Sequence, residues 1–260
     1  MRNTALITGS SNGIGFELAG IHAAKGGDLV LVARNLNRLE KLKDDLEKKH
    51  HVNIYLIKKD LSLPGAAREL YDEVRHNRIV VEYLINNAGF GDFGFFAESD
   101  WTKQEQMINL NIMSLTYLTW LFLPDMIIRK RGKIMNVAST AAFSPGPTMA
   151  VYFATKAYVL SFSLAIDNEV REHGITITSL CPGPTKSGFS DAASLKGSRL
   201  FENPKIPTAR EVAEYGYYSM ISGKTVAIHG LRNKIIAHSS RIAPQSLVVK
   251  AARKIQEKKY

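Results

Sequence analysis

The chain has 260 residues, 45% of them apolar, with a formal net charge of +10. A chain of that length can bury a large core without staples, and its single cysteine, Cys181, excludes an internal disulfide framework. The positive excess is spread over helix faces such as 38–49 and collects again at 250–259. It therefore reads as solvated surface and attraction for an anionic ligand, and no nucleic-acid partner is expected.

The first strand, 3–8, begins at once and leaves no room for a signal peptide. No window approaches ~20 uninterrupted apolar residues, so the expectation is a cytoplasmic protein without a membrane span. Further strands are predicted at 28–33, 53–58, 82–86, 133–139 and 176–181, with a weaker seventh at 224–228. Helical periodicity covers about 13–25, 36–49, 64–76, 100–129 and 150–172. Alternation of helices with near-continuous apolar strands predicts a doubly wound parallel α/β sheet, a Rossmann fold, with helices on both faces. No linker or repeat divides the chain, so one domain spanning 1–260 is expected.

Two regions break the rhythm. Pro182–Pro207 is dense in turn residues yet carries Phe189, Leu195, Leu200 and Phe201, which predicts a lid over about 183–210. The basic extension at about 230–260 carries Ile235, Ile236, Ile242, Leu247, Val248 and Val249. It is expected to pack on its own domain or a partner subunit, with a membrane-surface helix as the rival reading. The seven histidines show no metal-ligand spacing, and no metal is expected.

Thr8-Gly9-Ser10-Ser11-Asn12-Gly13-Ile14-Gly15 joins the first strand to the first helix. Glycines let the backbone turn sharply and approach a pyrophosphate, whose charge meets the amides of the helix N-terminus. In that position the loop points to a dinucleotide. The second strand ends Val32-Ala33-Arg34-Asn35, where a carboxylate would hold the ribose hydroxyls of NAD. A guanidinium there suits the 2′-phosphate of NADP instead, with Ser10 and the more distant Arg38 as helpers. Tyr152 and Lys156 stand four residues apart, on one face of a helix. A nearby ammonium draws a phenol below its usual pKa of about 10, which makes Tyr152 the candidate acid/base. Ser139 ends the fifth strand, at the sheet edge where ligands bind.

The Gly-x-x-x-Gly-x-Gly spacing, Asn86-Asn87-Ala88-Gly89, Ser139 and Tyr152-x-x-x-Lys156 together resemble the short-chain dehydrogenase/reductase family over most of the chain. The resemblance implies an NADP(H)-dependent oxidoreductase moving a hydride between nicotinamide and a carbonyl or alcohol. It implies that Asp60 and Leu61 contact adenine, and that Asn87, Ala88 and Gly89 lie against the adenine-side ribose. Ser139 would hold the substrate oxygen, and Lys156 the nicotinamide ribose. Asn111, chosen over Asn109, would order a water that resupplies the proton. Pro182, Gly183 and Thr185 would form the turn under the nicotinamide. Relatives also imply a homodimer or homotetramer formed through the helices at 100–129 and 150–172. The stretch Thr225–Gly230 lacks the common Asp-Gly-Gly and is closer to a branch termed DltE-like or hydroxysteroid-dehydrogenase-like. Aromatics in Gly89–Phe96, with Phe143 and Met149, suggest an apolar ketone or aldehyde as substrate. The alternative is a catalytically idle NADP-binding sensor or scaffold of the same fold.

Overall fold

Apolar runs buried on both faces become, in the computed structural model, seven parallel strands of one sheet, ordered β3-β2-β1-β4-β5-β6-β7. The structure describes residues 3–189 and 206–256; Leu195, Leu200 and Phe201 of the expected lid lie outside them. The strands are β1 (Thr4–Thr8), β2 (Asp28–Ala33), β3 (Ile54–Lys58), β4 (Tyr83–Asn86), β5 (Gly132–Val137), β6 (Ile175–Cys181) and β7 (Val226–Ile228). The helices between them are α1 (Gly13–Ala24), α2 (Leu36–His50), α3 (Ala66–His76), α4 (Trp101–Ile108), α5 (Leu115–Arg129), α6 (Ala150–Val170) and α7 (Ala209–Ile221). Two more, α8 (Leu231–Ile242) and α9 (Gln245–Gln256), follow β7.

The chain builds outward from β1 to β3, then returns to place β4 on the other side of β1, in register Ile7 with Ile85. Loops leaving β1 and β4 therefore diverge, and the crevice between them is where ligands bind in such sheets. One face of the sheet is covered by α1, α2 and α7 through Leu18, Leu39, Val212 and Tyr217. The other is covered by α3, α5 and α6 through Leu70, Leu118, Phe122 and Val170. Each fully buried leucine of this kind contributes about 2 kcal/mol.

Several expectations shift at the edges. The helix predicted over 100–129 divides into α4, a π-helical turn Asn109–Ser114 and α5. The run Trp101–Arg129 is long and apolar enough to cross a bilayer, although no window in it is uninterruptedly apolar. Met107, Leu118, Phe122 and Met126 of that run are buried in the core, whereas Met113, Trp120 and Ile128 are exposed. Strand β5 stops at Val137, so Ser139 belongs to the cap of a 3-10 turn, Thr140–Phe143, and not to the strand.

Helix α7 lies outside the predicted helices, yet its start is written in the sequence. Thr208 Oγ1 accepts from the Glu211 N–H at 3.2 Å and the Glu211 carboxylate accepts from the Thr208 N–H at 2.7 Å, a capping box. Gly216 interrupts the apolar period because a Cβ there would sit 2.6 Å from Leu180 Cδ2.

Candidate active site

At the β1–β4 crevice opens a cavity of about 1340 Å³. Its floor is the glycine loop, where Gly9 and Gly13 take φ of +67° and +57°, values a side chain would strain. Asn12 occupies the N-cap of α1 without a side-chain cap bond, which leaves first-turn amides for an anion. Ser11, Asn12, Gly13 and Ile14 line the cavity. Ser10 does not: it is fully buried, and its hydroxyl donates to the Val32 carbonyl at 3.4 Å. The structure thus places Ser10 away from the cavity lining, its hydroxyl engaged with β2. Gly15 also faces inward, where a Cβ would lie 2.4 Å from Asn87 Nδ2 and 2.5 Å from Gly9 O.

Asn87 ties the loop down. Its Nδ2 donates to Thr8 O at 2.9 Å and Gly9 O at 3.1 Å, while the N–H groups of Asn87 and Ala88 both donate to Thr8 Oγ1 at 3.0 Å. The Asn87 amide is thus committed to the loop, and Ala88 and Gly89 present the backbone along the cavity wall.

Arg34 stands on the rim with its side chain 77% exposed, Nη1 lying 3.8 Å from Asp60 Oδ2. Arg38 lines the same end, and its N–H is capped by Asn35 Oδ1 at 3.0 Å. Asp60 Oδ1 accepts from the N–H and hydroxyl of Ser62 at 3.0 and 2.7 Å, and Leu61 closes the wall beside it.

At the far end Ser139, Tyr152 and Lys156 converge. Ser139 Oγ accepts from the Ala141 N–H at 3.1 Å and donates to Pro182 O at 3.4 Å. Tyr152, on the first turn of α6, is 8% exposed. Burial pushes its phenol up to about 12, and a hydrogen bond with the Ser139 hydroxyl opposes that rise. Lys156 Nζ donates to Val137 O at 2.8 Å and lies 5.8 Å from the Tyr152 ring centroid. Burial draws its ammonium down to about 8, with Cys181 partly offsetting. The Tyr152–Lys156 spacing predicts a lowered phenol; burial raises it instead, opposed only in part by the Ser139 hydroxyl.

Asn111 is buried in the π-helical turn, a distortion that often marks functional positions. Its Nδ2 donates to Phe90 O at 3.0 Å and Thr155 Oγ1 at 3.1 Å, and its Oδ1 accepts from the Phe90 N–H at 3.2 Å. Both amide hydrogens are therefore engaged, and only Oδ1 retains capacity for a water. A Cβ on Gly89 would lie 2.9 Å from Asn111 Oδ1 and 3.3 Å from Lys156 Nζ, so the two side chains meet across this glycine.

Pro182, Gly183 and Thr185 line the cavity next to Ser139, with the Thr185 hydroxyl donating to Gly183 O at 2.9 Å. Substrate-side residues are only partly as expected. Phe90 and Phe189 line the cavity, the Phe189 ring 5.3 Å from that of Tyr152. Met149 shares a buried cluster with Tyr152, against which Phe93 packs, whereas Phe143 packs against a separate cluster that includes Ala237, and Phe95 and Phe96 are exposed. The sequence did not point to the contribution of the C-terminal helices: Asn233 and Ile236 of α8 and Ala252, Ile255 and Gln256 of α9 line the cavity. Gln256, 2% exposed, accepts from the Thr148 hydroxyl at 3.2 Å.

The glycine cradle, open helix amides and rim guanidinium fit a dinucleotide, and Ser139, Tyr152 and Lys156 line the same cavity. Fold and site together match the doubly wound, dinucleotide-binding class of protein. Residues 3–196 match the family described as short chain dehydrogenase. A very-long-chain 3-oxoacyl-CoA reductase of Phaeosphaeria nodorum is 35% identical over 207 residues, 77% of this chain and 60% of that protein. The chain thus spans less than two thirds of that relative's length. An 11-beta-hydroxysteroid dehydrogenase-like protein 4A of Arabidopsis thaliana is 30% identical over 251 residues, 95% of this chain and 83% of its own. Among solved structures, a short-chain dehydrogenase from Sphingobium yanoikuyae in complex with NADPH superposes with a TM-score of 0.83 at 29% identity, covering 92% of this chain and 93% of that one. The chain belongs to the short-chain dehydrogenase family.

Proposed function

We propose that the protein is an NADP(H)-dependent reductase of an apolar ketone or aldehyde, with Tyr152 as its proton donor. The observation that carries this reading is that Ser139, Tyr152 and Lys156 line one cavity together with the glycine loop and Arg34. Bound NADPH would supply the hydride. Arg34 and Arg38, with no carboxylate at the end of β2, favour a cofactor bearing a 2′-phosphate. Tyr152, kept neutral by burial, would deliver its proton to the substrate oxygen, and Ser139 would share that oxygen as charge develops. Lys156 would support the phenolate left behind, and Asn111 would hold the Phe90 backbone and the adjoining wall in place. Phe90, Phe189 and the packed Met149 favour an apolar substrate.

Self-association belongs to the same proposal. Trp120 and Met113 are 64% and 60% exposed along the π-turn and α5, beside partly exposed Tyr117, and this face suits a second copy of the chain.

The test is NADPH consumption against a panel of ketones, aldehydes, quinones and 3-oxoacyl compounds, with Tyr152→Phe in parallel. Turnover that disappears in Tyr152→Phe while NADPH still binds is the expected result. Tight NADPH binding without turnover on any panel member would favour an idle sensor, and substantial turnover in the variant would remove Tyr152 from its role.

A further inference from the structure

Helices α8 and α9 carry a one-sided surface that the chemistry of the cavity does not use. Residues 231–256 contain six Lys or Arg and no Asp or Glu, so they hold six of the net +10 charges. On α8, Ala237 and Ser240 are buried, and the Ser240 hydroxyl donates to Phe143 O at 2.9 Å. The opposite side presents Leu231, Ile235 and Ile242, whose spacing of i, i+4 and i+11 sets them in one stripe. They are 73%, 60% and 87% exposed. Arg232 and Lys234 flank that stripe by helical position. On α9, Gln256 faces inward, and Leu247, Lys250 and Lys254 are exposed on the far side. Leu231 and Ile255 are both exposed and part of the cavity lining, so the same two helices form its rim.

We infer that α8 and α9 dock the protein on an anionic lipid bilayer with the cavity mouth turned towards the lipid. An exposed apolar stripe flanked by cations, on helices that themselves carry no acidic residue between 231 and 256, matches the requirements of an interfacial helix: apolar side chains enter the acyl boundary and the cations meet lipid phosphates. A second copy of the chain is a poorer occupant, because a two-fold pairing would set six cations against six. Delivery of an apolar carbonyl compound from the bilayer rests on the proposed reductase activity; docking itself does not.

The experiment is co-sedimentation of the full chain with vesicles of phosphatidylcholine alone and of phosphatidylcholine mixed with phosphatidylglycerol, without substrate. Binding is expected to the mixed vesicles only and to weaken with added salt. Lys250→Glu/Lys254→Glu should lower the partition coefficient on the order of tenfold or more, each cation near a charged surface contributing roughly fivefold. Ile235→Glu/Ile242→Glu should abolish it, and NADPH fluorescence titration of both variants should match the wild type and so report an intact fold. Should the isoleucine variant not fold, the lysine variant decides. Equal retention by the two vesicle types, wild-type partitioning of a folded variant, or a change in sedimentation velocity in place of lost vesicle binding would each overturn the inference. Failure to turn over any carbonyl substrate would leave vesicle binding unchanged, so the two proposals fail separately.

Discussion

Arg34 is the residue on which cofactor preference turns. Its side chain is 77% exposed and, among the described residues, it pairs with Asp60 Oδ2 at 3.8 Å, so the guanidinium works in high-dielectric surroundings. Two unit charges at ~4 Å attract by about 1 kcal/mol in water. A 2′-phosphate carries nearly two charges and accepts a charge-assisted pair of hydrogen bonds, which brings the total to about 2–3 kcal/mol. That corresponds to roughly 30- to 150-fold in affinity. Arg34→Ala is therefore expected to weaken NADPH binding by that factor and to change NADH binding less than about threefold, as read by nucleotide fluorescence titration. The gap between the two nucleotides should narrow with rising ionic strength, since an exposed pair is screened. Equal losses for NADPH and NADH, or wild-type affinities within a few fold of each other, would refute the assignment.

Tyr152→Phe should lower kcat by about 10²–10⁴-fold while the NADPH dissociation constant stays within about twofold, measured by steady-state rates and titration. Burial draws the Lys156 ammonium from 10.5 to about 8, so the unfolded chain holds that proton more tightly than the folded one. At pH 7 the fold carries this cost, which fades as pH rises from about 8 to 10.5 and both states become neutral. Lys156→Met should thus raise stability at pH 7 by about 2 kcal/mol, after allowing about 1 kcal/mol for the Val137 carbonyl left without its donor, and fall about 1 kcal/mol below the wild type above that window, where only the lost hydrogen bond counts. Urea melts at neutral and alkaline pH test it, and a variant less stable than the wild type at pH 7 would contradict it. Asn87→Ala removes the donor to Thr8 O and Gly9 O, and should cost about 2–3 kcal/mol in a urea melt together with weakened NADPH binding.

What could be read from the sequence was local. The glycine loop, the Tyr152–Lys156 spacing and the strand–helix alternation are short-range patterns, and the structure places them in one crevice because the strand order reverses between β1 and β4. What could not be read depends on contacts distant in sequence. Ser10 and Ser11 look interchangeable in the loop, yet one bonds Val32 across the sheet and the other faces the cavity. Helix α7 was obscured because Gly216, needed for close approach to Leu180, breaks its apolar period. No local pattern could report that Gln256 packs beside Thr148, 108 residues earlier in the chain.

The displaced pKa values of Tyr152 and Lys156 also bear on direction. Burial moves Tyr152 up to about 12 and Lys156 down to about 8, so desolvation drives both towards their uncharged forms. A phenol that keeps its proton at every physiological pH is ready to act as an acid, and an acid is what carbonyl reduction requires of it. Alcohol oxidation would need the same phenol as a base, and an ammonium near 8 gives limited help because it is itself partly neutral at alkaline pH. On the proposed assignment the unliganded site is therefore set for reduction. Oxidation should require alkaline pH or a positive charge brought in beside Tyr152, such as the ring of NADP⁺. Rates in both directions across pH 6–10 test this: reduction should stay level through the neutral range while oxidation climbs. An oxidation rate that is flat with pH would mean that burial does not govern the tyrosine during turnover.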